Sequence, residues 1–314
     1  MLNTPQITHV KSVCHAKVKP TLSVLIPYFR DNPAPLLKAL THEISDGGNV
    51  EILMYDDGTG DAPLNTRLCA NVKQADSAVH LMIAAENRGR AFARNSLTQH
   101  ARADWVLFLD ADMRPVTEHF VSDYMALIDA EAADIIFGGF KVPAKAETPE
   151  QELHRAFSET SDCLSLTARQ AKGPQYVCSS NLCVRKTVLD SEPFDPGFSG
   201  WGWEDSEWAA RTANRFNLVH ADIPALHLGL ESTDTLLRRF KDSGANYERF
   251  TQKHPELAKT LALYAATRKL SRVPGQKLAR PLLKSLVKGR FIPVKLRLIA
   301  LKLWRASWYA EAIS

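Results

Sequence analysis

Four times in its first 112 residues the chain repeats one pattern, a short β-branched apolar run that stops at polar, Asp- or Gly-bearing residues. The runs are Thr21 to Phe29, Val50 to Tyr55, Val79 to Ala84 and Trp105 to Leu109. Helical spacing fills the intervals over Pro33 to Ile44, Ala62 to Lys73 and Asn87 to about Ala101, the first ending before Asp46-Gly47-Gly48. Short runs that are apolar throughout, rather than alternating, suit strands covered on both faces. Their recurrence every 25–30 residues or so predicts βαβ units on a parallel sheet. Such sheets bind ligands beyond the carboxyl ends of their strands, and each carboxylate and glycine cluster of this region falls at such an end.

These clusters have distinct chemical characters. Asp110-Ala111-Asp112 puts two carboxylates at i and i+2, on one side of an extended chain, where they suit a hard divalent cation completed by substrate phosphates. An acidic turn capping the next helix is the plain alternative. Asp56-Asp57-Gly58 offers acceptors to a ribose hydroxyl or a base N–H, or simply forms a turn. Asn87-Arg88-Gly89-Arg90, with Arg94 and Asn95 one turn on, places basic side chains and free backbone N–H groups at a helix start, an anion site or a solvated first turn.

In order, Leu25-Ile26-Pro27-Tyr28, Tyr55-Asp56-Asp57-Gly58, Glu86-Asn87-Arg88-Gly89 with Ala93-Arg94-Asn95, and Phe108-Leu109-Asp110-Ala111-Asp112 resemble the nucleotide-binding half of inverting family 2 glycosyltransferases. The resemblance implies an α/β GT-A fold, a Rossmann-like and mostly parallel sheet flanked by helices, with a basic helical C-terminal extension. It implies that Pro27, Tyr28 and Asp56 or Asp57 hold base and ribose, and that Arg94 belongs to the nucleotide site. Asp110 would lie toward ribose and metal, and Asp112 would chelate Mn2+ or Mg2+ beneath the diphosphate. Thr59-Gly60-Asp61 departs from the more frequent Ser-Thr-Asp of the family.

Further along, Gly200-Trp201-Gly202-Trp203-Glu204-Asp205 is a flexible aromatic loop that delivers two acids to a helix start. Aromatic rings cover the C–H faces of sugars, and a carboxylate beside an acceptor hydroxyl is a general base. A tryptophan-rich corner whose acids serve the helix dipole is the alternative. The string is similar to the Gly-Trp-Gly-x-Glu-Asp motif of galactosyl- and N-acetylhexosaminyl-transferases, including chondroitin-type polymerases. Carried over, Asp205 is the catalytic base, Glu204 holds the acceptor, Trp201 lines the sugar pocket and Trp203 narrows it. The same resemblance makes His227 a third metal ligand, with His220 as the alternative, and puts Asn181 of Ser179-Ser180-Asn181 on the acceptor side.

Between and after these motifs the second half predicts helices over Val116–Ala132, Glu147–Arg169, Glu204–Phe216, Glu231–Phe250 and Pro255–Lys269. Strands are expected over Asp134–Val142, within Tyr176–Val184 and, in two pieces, within Leu218–Leu228. Charge then divides the chain. From Arg268 to Ser314 twelve Lys and Arg accompany one acid, Glu311, whereas the whole carries a net charge of only +4. We therefore expect a polar N-terminal extension over 1–20, a catalytic domain over 21–270 and a basic helical tail over 271–314. Within the tail, residues 277–314 mix Lys and Arg with Leu, Phe and Trp, as in segments that lie on anionic membranes. A helical pair packed on the domain is the other reading, and no nucleic-acid motif accompanies the charge.

The five cysteines are scattered without a CxxC, which suits a reducing compartment rather than a disulfide framework or zinc cluster. No apolar signal segment opens the sequence, and no uncharged apolar run reaches membrane-spanning length. The expected setting is cytoplasmic, peripheral on the inner face of the plasma membrane. The expected activity is metal-dependent, inverting transfer of a hexose from a nucleotide-sugar, a UDP-sugar, to a glycan or lipid-linked sugar in polysaccharide or envelope assembly. A non-catalytic glycan- or membrane-binding protein on the same scaffold is one alternative. A sugar-1-phosphate nucleotidyltransferase is another, although it would want a Gly-rich basic loop where Pro27-Tyr28-Phe29-Arg30-Asp31 stands.

Overall fold

The computed structural model describes residues 7–17, 19–44 and 49–314. The expected Asp46-Gly47-Gly48 break lies outside them. The strands are β1 (Ile7–Lys11), β2 (Leu22–Tyr28), β3 (Val50–Asp56), β4 (Ala78–Ala84), β5 (Trp105–Leu109), β6 (Met113–Pro115), β7 (Ile135–Phe137), β8 (Phe140–Lys141), β9 (Asn181–Arg185), β10 (Leu218–His220) and β11 (Ala225–His227). One sheet runs β1-β4-β3-β2-β5-β9-β7-β10, and a small one runs β6-β11-β8.

β2 pairs in parallel with β3 and β5, and β3 with β4, as the repeated strand–helix pattern requires. The unbroken apolar runs have a direct cause, because both faces of this sheet are covered. Val24 and Ile26 of β2 and Ile52 and Met54 of β3 pack with Leu36, Leu40 and Leu68 from helices Ala34–Ile44 and Ala62–Gln74. Their neighbours Leu25, Leu53 and Tyr55 pack on the opposite side with Ala91 and Leu97 of helix Arg90–His100 and with Trp208. Each fully buried Leu or Ile contributes roughly 1.5–3 kcal/mol, so a polar residue at any of these positions would open one of the two layers.

Three expectations need correction. Residues 1–20 are not a bare extension, since β1 adds to the sheet edge, antiparallel to β4, with Ile7 opposite Ala84 and Lys11 opposite His80. The long helices of the second half are each interrupted, in one case at a side-chain cap. Glu147–Arg169 becomes Glu152–Ser161 and Leu166–Lys172, the second capped by Ser165 accepting from Ala168 N–H. Glu231–Phe250 becomes Thr233–Asp242, capped by Ser232, and Gly244–Lys253, where Gly244 meets Trp308 and Ala312 closely. Pro255–Lys269 likewise divides into Pro255–Thr260 and Ala262–Leu270, and the 116–132 and 204–216 helices shorten to Phe120–Asp129 and Glu204–Thr212. Finally, the 134–142 strand is two short strands separated by Gly138 and Gly139.

The basic tail is docked on the rest. Helices Arg280–Lys288 and Val294–Ala312 bury Val287, Ala300, Leu301 and Trp304 with Leu153, Phe157, Leu236, Leu237 and Phe240. The 271–314 segment therefore shares a core with the 21–270 domain. Among the described residues no helix is long and apolar enough to cross a membrane.

Candidate active site

The carboxyl ends of β2, β3 and β5 deliver the nucleotide-type residues. Parallel register sets Tyr28 opposite Asp56 and Pro27 opposite Tyr55. Pro27 is half-buried on its strand. Asp56 is buried; one oxygen accepts from Thr59 N–H at 2.9 Å, whereas Oδ2 has no partner. The Tyr28 hydroxyl is also buried without a partner, and burial together with nearby Asp56 pushes its phenol well above the ordinary value. A nearby unpaired donor and acceptor make a pair able to read a polar ring edge or a ribose.

Asp57 does something else. Its two oxygens accept from Arg88 N–H and Gly89 N–H, both at 2.8 Å, and Asn87 Nδ2 donates to its carbonyl. It pins the 87–89 loop instead of facing a ligand, and it uses the N–H groups that the sequence had suggested for an anion. Gly58 makes that contact possible. Its φ is +73°, and a Cβ there would stand 2.3 Å from the Glu86 carbonyl carbon.

Arg94 is likewise not an open nucleotide ligand. It is buried, with its guanidinium 3.4 Å from Asp110 and 3.5 Å from both Glu204 and Asp205. Burial opposes its charge, but Asp205, Asp110 and Glu204 outweigh that and raise its pKa above the ordinary arginine value. Arg94 thus joins Asp110, at the end of β5, to the two acids of the aromatic loop. Glu204 is correspondingly shut away, its side chain 5% exposed and engaged by Arg90 and Arg94. It orients the cluster and is no free acceptor ligand.

Asp205 remains accessible, its side chain 21% exposed. Ser179, which the sequence reading passed over, donates its hydroxyl to Oδ1 at 2.8 Å and its N–H to Oδ2 at 3.2 Å. The signal was present, since Ser179 belongs to the Ser179-Ser180-Asn181 segment. Asn181 itself is fully buried. Its amide donates to the Gly139 and Ile223 carbonyls and its carbonyl accepts from Tyr124, so it is a structural staple and is not presented to an acceptor.

The aromatic loop turns on three left-handed residues, Gly200, Trp203 and Gly202, with φ of 75°, 74° and 89°. Trp201 packs edge-on against Phe240 at 5.6 Å, leaving it half-buried. Trp203 packs at a tilt against Tyr247 and Phe250 and donates to the Tyr309 hydroxyl, which fastens the loop to the C-terminal helices.

Asp112 meets His227 because β11 runs antiparallel to β6 and places His227 opposite Met113. His227 Nε2 lies 3.3 Å from Asp112 Oδ2. Burial works against Asp112's charge, yet the bond to His227 lowers its pKa; Asp112 in turn outweighs burial and raises that of His227. Asp112 Oδ1 and His227 Nδ1 are buried without partners. Gly229 leaves room for the carboxylate, since a Cβ there would lie 1.8 Å from Oδ2. One carboxylate and one imidazole suit a divalent cation. Among the described residues no group of three or more such ligands is assembled, so phosphate and water oxygens would fill the remaining positions. His220 lies elsewhere, on β10 against Phe137. Asp31, also missed in the sequence, has its pKa raised to about 6 by burial and by Asp112 and Asp110.

Comparison with known proteins bears on family and fold. Residues 23–191 match the model of glycosyl transferase family 2. A Bacillus subtilis (strain 168) protein named as a teichuronic acid biosynthesis glycosyltransferase, TuaG, is 25% identical over 147 residues, 46% of this chain and 56% of that protein. The match thus spans little more than half of that relative. Among solved structures, S. aureus TarS 1–349 superposes over 93% of this chain and 90% of its own with a TM-score of 0.52 and 15% identity. The Pyrobaculum calidifontis mannosyltransferase PcManGT, in complex with GDP-Man and Mn2+, superposes over 92% of this chain and 86% of its own with a TM-score of 0.55 and 16% identity. These likenesses carry the GT-A fold. The family match covers more than half of the sequence, and the chain belongs to glycosyl transferase family 2.

Proposed function

We propose that the chain transfers a hexose from a UDP-sugar to a hydroxyl of a glycan or lipid-linked sugar, with inversion and with help from Mn2+ or Mg2+. The observation that carries this reading is Arg94, which draws Asp110 on the donor side and Asp205 on the acceptor side into one cluster with contacts of 3.4 and 3.5 Å. Tyr28 and Asp56 serve base and ribose. Asp205, oriented by Arg94 and Ser179, takes the proton of the acceptor hydroxyl as that oxygen bonds to the anomeric carbon. The anomeric carbon–phosphate oxygen bond breaks on the opposite face, and its electron pair leaves with the nucleoside diphosphate. No enzyme-bound sugar forms. A divalent cation held by Asp112 and His227 would supply positive charge to the departing diphosphate. Trp201, half-exposed beside this site, is the surface for the sugar's apolar face.

A UDP donor draws support from S. aureus TarS 1–349, solved in complex with UDP-GlcNAc and matched here with a TM-score of 0.50. The test is nucleotide release from a panel of UDP-sugars and GDP-mannose, with Mn2+ and with chelator. One UDP-sugar is expected to give metal-dependent release that Asp112→Ala suppresses. Asp205→Asn is expected to lower transfer by roughly two to four orders of magnitude while donor binding persists. Release from GDP-mannose alone would overturn the UDP assignment. Turnover unaffected by Asp205→Asn would overturn the base.

A further inference from the structure

The apolar residues of helix Val294–Ala312 divide between two faces. Ala300, Leu301 and Trp304 are buried against the domain, with Trp304 donating to the Leu237 carbonyl at 2.9 Å. Leu296, Ile299 and Leu303, spaced three and four apart, are 56%, 56% and 45% exposed. Arg297, which interrupts the apolar stripe on a helical wheel, faces inward and donates to the Val287 carbonyl and to Thr233. The preceding helix repeats the arrangement. Val287 is buried in the same cluster, whereas Leu282 and Leu286, four apart, are exposed, as is Leu278 in the short 3-10 turn before the helix. Phe291, in the connection between the two helices, is fully exposed.

Because both helices bury their inner faces in one cluster, their exposed faces both look away from it. The charges beside these faces are mostly basic. Lys284 and Lys295 are exposed outside any ion pair among the described residues, Lys302 is exposed with Asp162 as an acidic neighbour, and Lys288 and Arg290 pair with Asp234 and Glu150. The tail's one acid, Glu311, is held by Lys277 and Arg280 at 2.6 Å. We infer that the outward faces of helices Arg280–Lys288 and Val294–Ala312 dock on an anionic lipid bilayer, with Phe291 and the exposed Leu and Ile entering the interface and the lysines meeting lipid phosphates. A second copy fits less well, because self-pairing would oppose lysine to lysine around an apolar centre. The surface lies on the cluster against which Trp201 packs. On the transfer reading above, a bilayer docked here would bring a lipid-linked acceptor near Asp205.

The chain, without donor or metal, is sedimented with vesicles of phosphatidylcholine alone or with added phosphatidylglycerol. The chain is expected to sediment with the anionic vesicles and to be released by salt, the exposed charges being screened. Lys284→Glu, Lys295→Glu and Lys302→Glu should each weaken binding about fivefold, and Phe291→Ser with Ile299→Ser should abolish it. Lys38→Glu, on an exposed position of helix Ala34–Ile44, should leave it unchanged. These side chains are solvent-exposed, and an unchanged unfolding midpoint verifies each variant's fold. Binding that ignores lipid charge, variants that bind like the parent, or a self-associating protein that ignores vesicles and becomes monomeric on Phe291→Ser would each overturn the inference. Nucleotide release is measured separately, so its failure would overturn the transfer reading and leave vesicle binding to decide this one.

Discussion

Replacing Arg94 by Met removes the cation shared by three carboxylates while keeping most of the side chain's volume. At an effective dielectric constant of about 20, one contact at 3.5 Å corresponds to roughly 5 kcal/mol of attraction. Desolvating the guanidinium offsets much of the sum. Breaking a buried pair by removing one partner typically costs 3–5 kcal/mol. Here Arg90 still reaches Glu204 at 3.5 Å, and Ser179 still bonds Asp205, so about 3 kcal/mol is expected. Urea denaturation followed by tryptophan fluorescence should show a lower midpoint with an unchanged slope. A second substitution separates charge from packing. Glu204→Gln should destabilise the parent, which loses an ion pair, but stabilise Arg94→Met, which is relieved of an uncompensated carboxylate. A loss below about 1 kcal/mol, or the same sign for Glu204→Gln in both backgrounds, would refute the account of Arg94 as the hub.

Two further outcomes follow from other parts of the molecule. His80 is buried between β1 and helix Arg90–His100, with His9 Nδ1 at 2.9 Å and His15 and His100 rings nearby, and burial, Lys11 and these histidines depress its pKa from 6.5 to about 3. A histidine kept neutral in the folded state contributes stability that is complete above pH 6.5 and lost as the pH falls toward 3; the slope is up to about 1.4 kcal/mol per pH unit. His80→Gln should therefore flatten the decline in stability between neutral and mildly acidic pH, and an identical pH profile would refute this. At Trp203, where φ is +74°, Trp203→Ala should cost about 3 kcal/mol of packing. Trp203→Gly should be the more stable of the two by about 1 kcal/mol, because glycine adopts the left-handed backbone without strain. Unfolding midpoints in the opposite order would exclude that explanation.

The first half of the chain was legible because local pattern and tertiary environment coincide there. Strands β2 to β5 are apolar on both faces since helices cover both, and β5 falls on Trp105–Leu109 as expected from the sequence. Asp112 and His227, singled out by the strand-end Asp110-Ala111-Asp112 and by resemblance respectively, do lie together. What escaped was direction. Asn87-Arg88-Gly89-Arg90 reads as an open helix start, but Asp57 takes the N–H groups, and carboxylates more than a hundred residues later take Arg94. Asn181 and Glu204 have the right chemistry for a ligand and are used up inside the protein. In the tail, summing every apolar residue around a single wheel merges a face packed on the domain with one left in solvent, and Arg297 then looks like a flaw when it is an internal cap.

The order in which the chain is synthesised has a consequence for β9 and β11. β9 inserts between β5 and β7, and β11 between β6 and β8. Each completes a gap opened by residues made much earlier. A ribosome-bound chain that has emerged only as far as β5 has its parallel strands, together with Asp56 and Asp110, but neither Asp205 nor His227. These two short strands, β9 antiparallel to both neighbours and β11 antiparallel to β6 but parallel to β8, act as late-closing latches, and the long loops they close are entropically slow to join. Asp110 and Asp205 therefore come together only once the chain has been made past residue 205, and on the transfer reading a chain that ends at β5 has nothing to take the acceptor's proton.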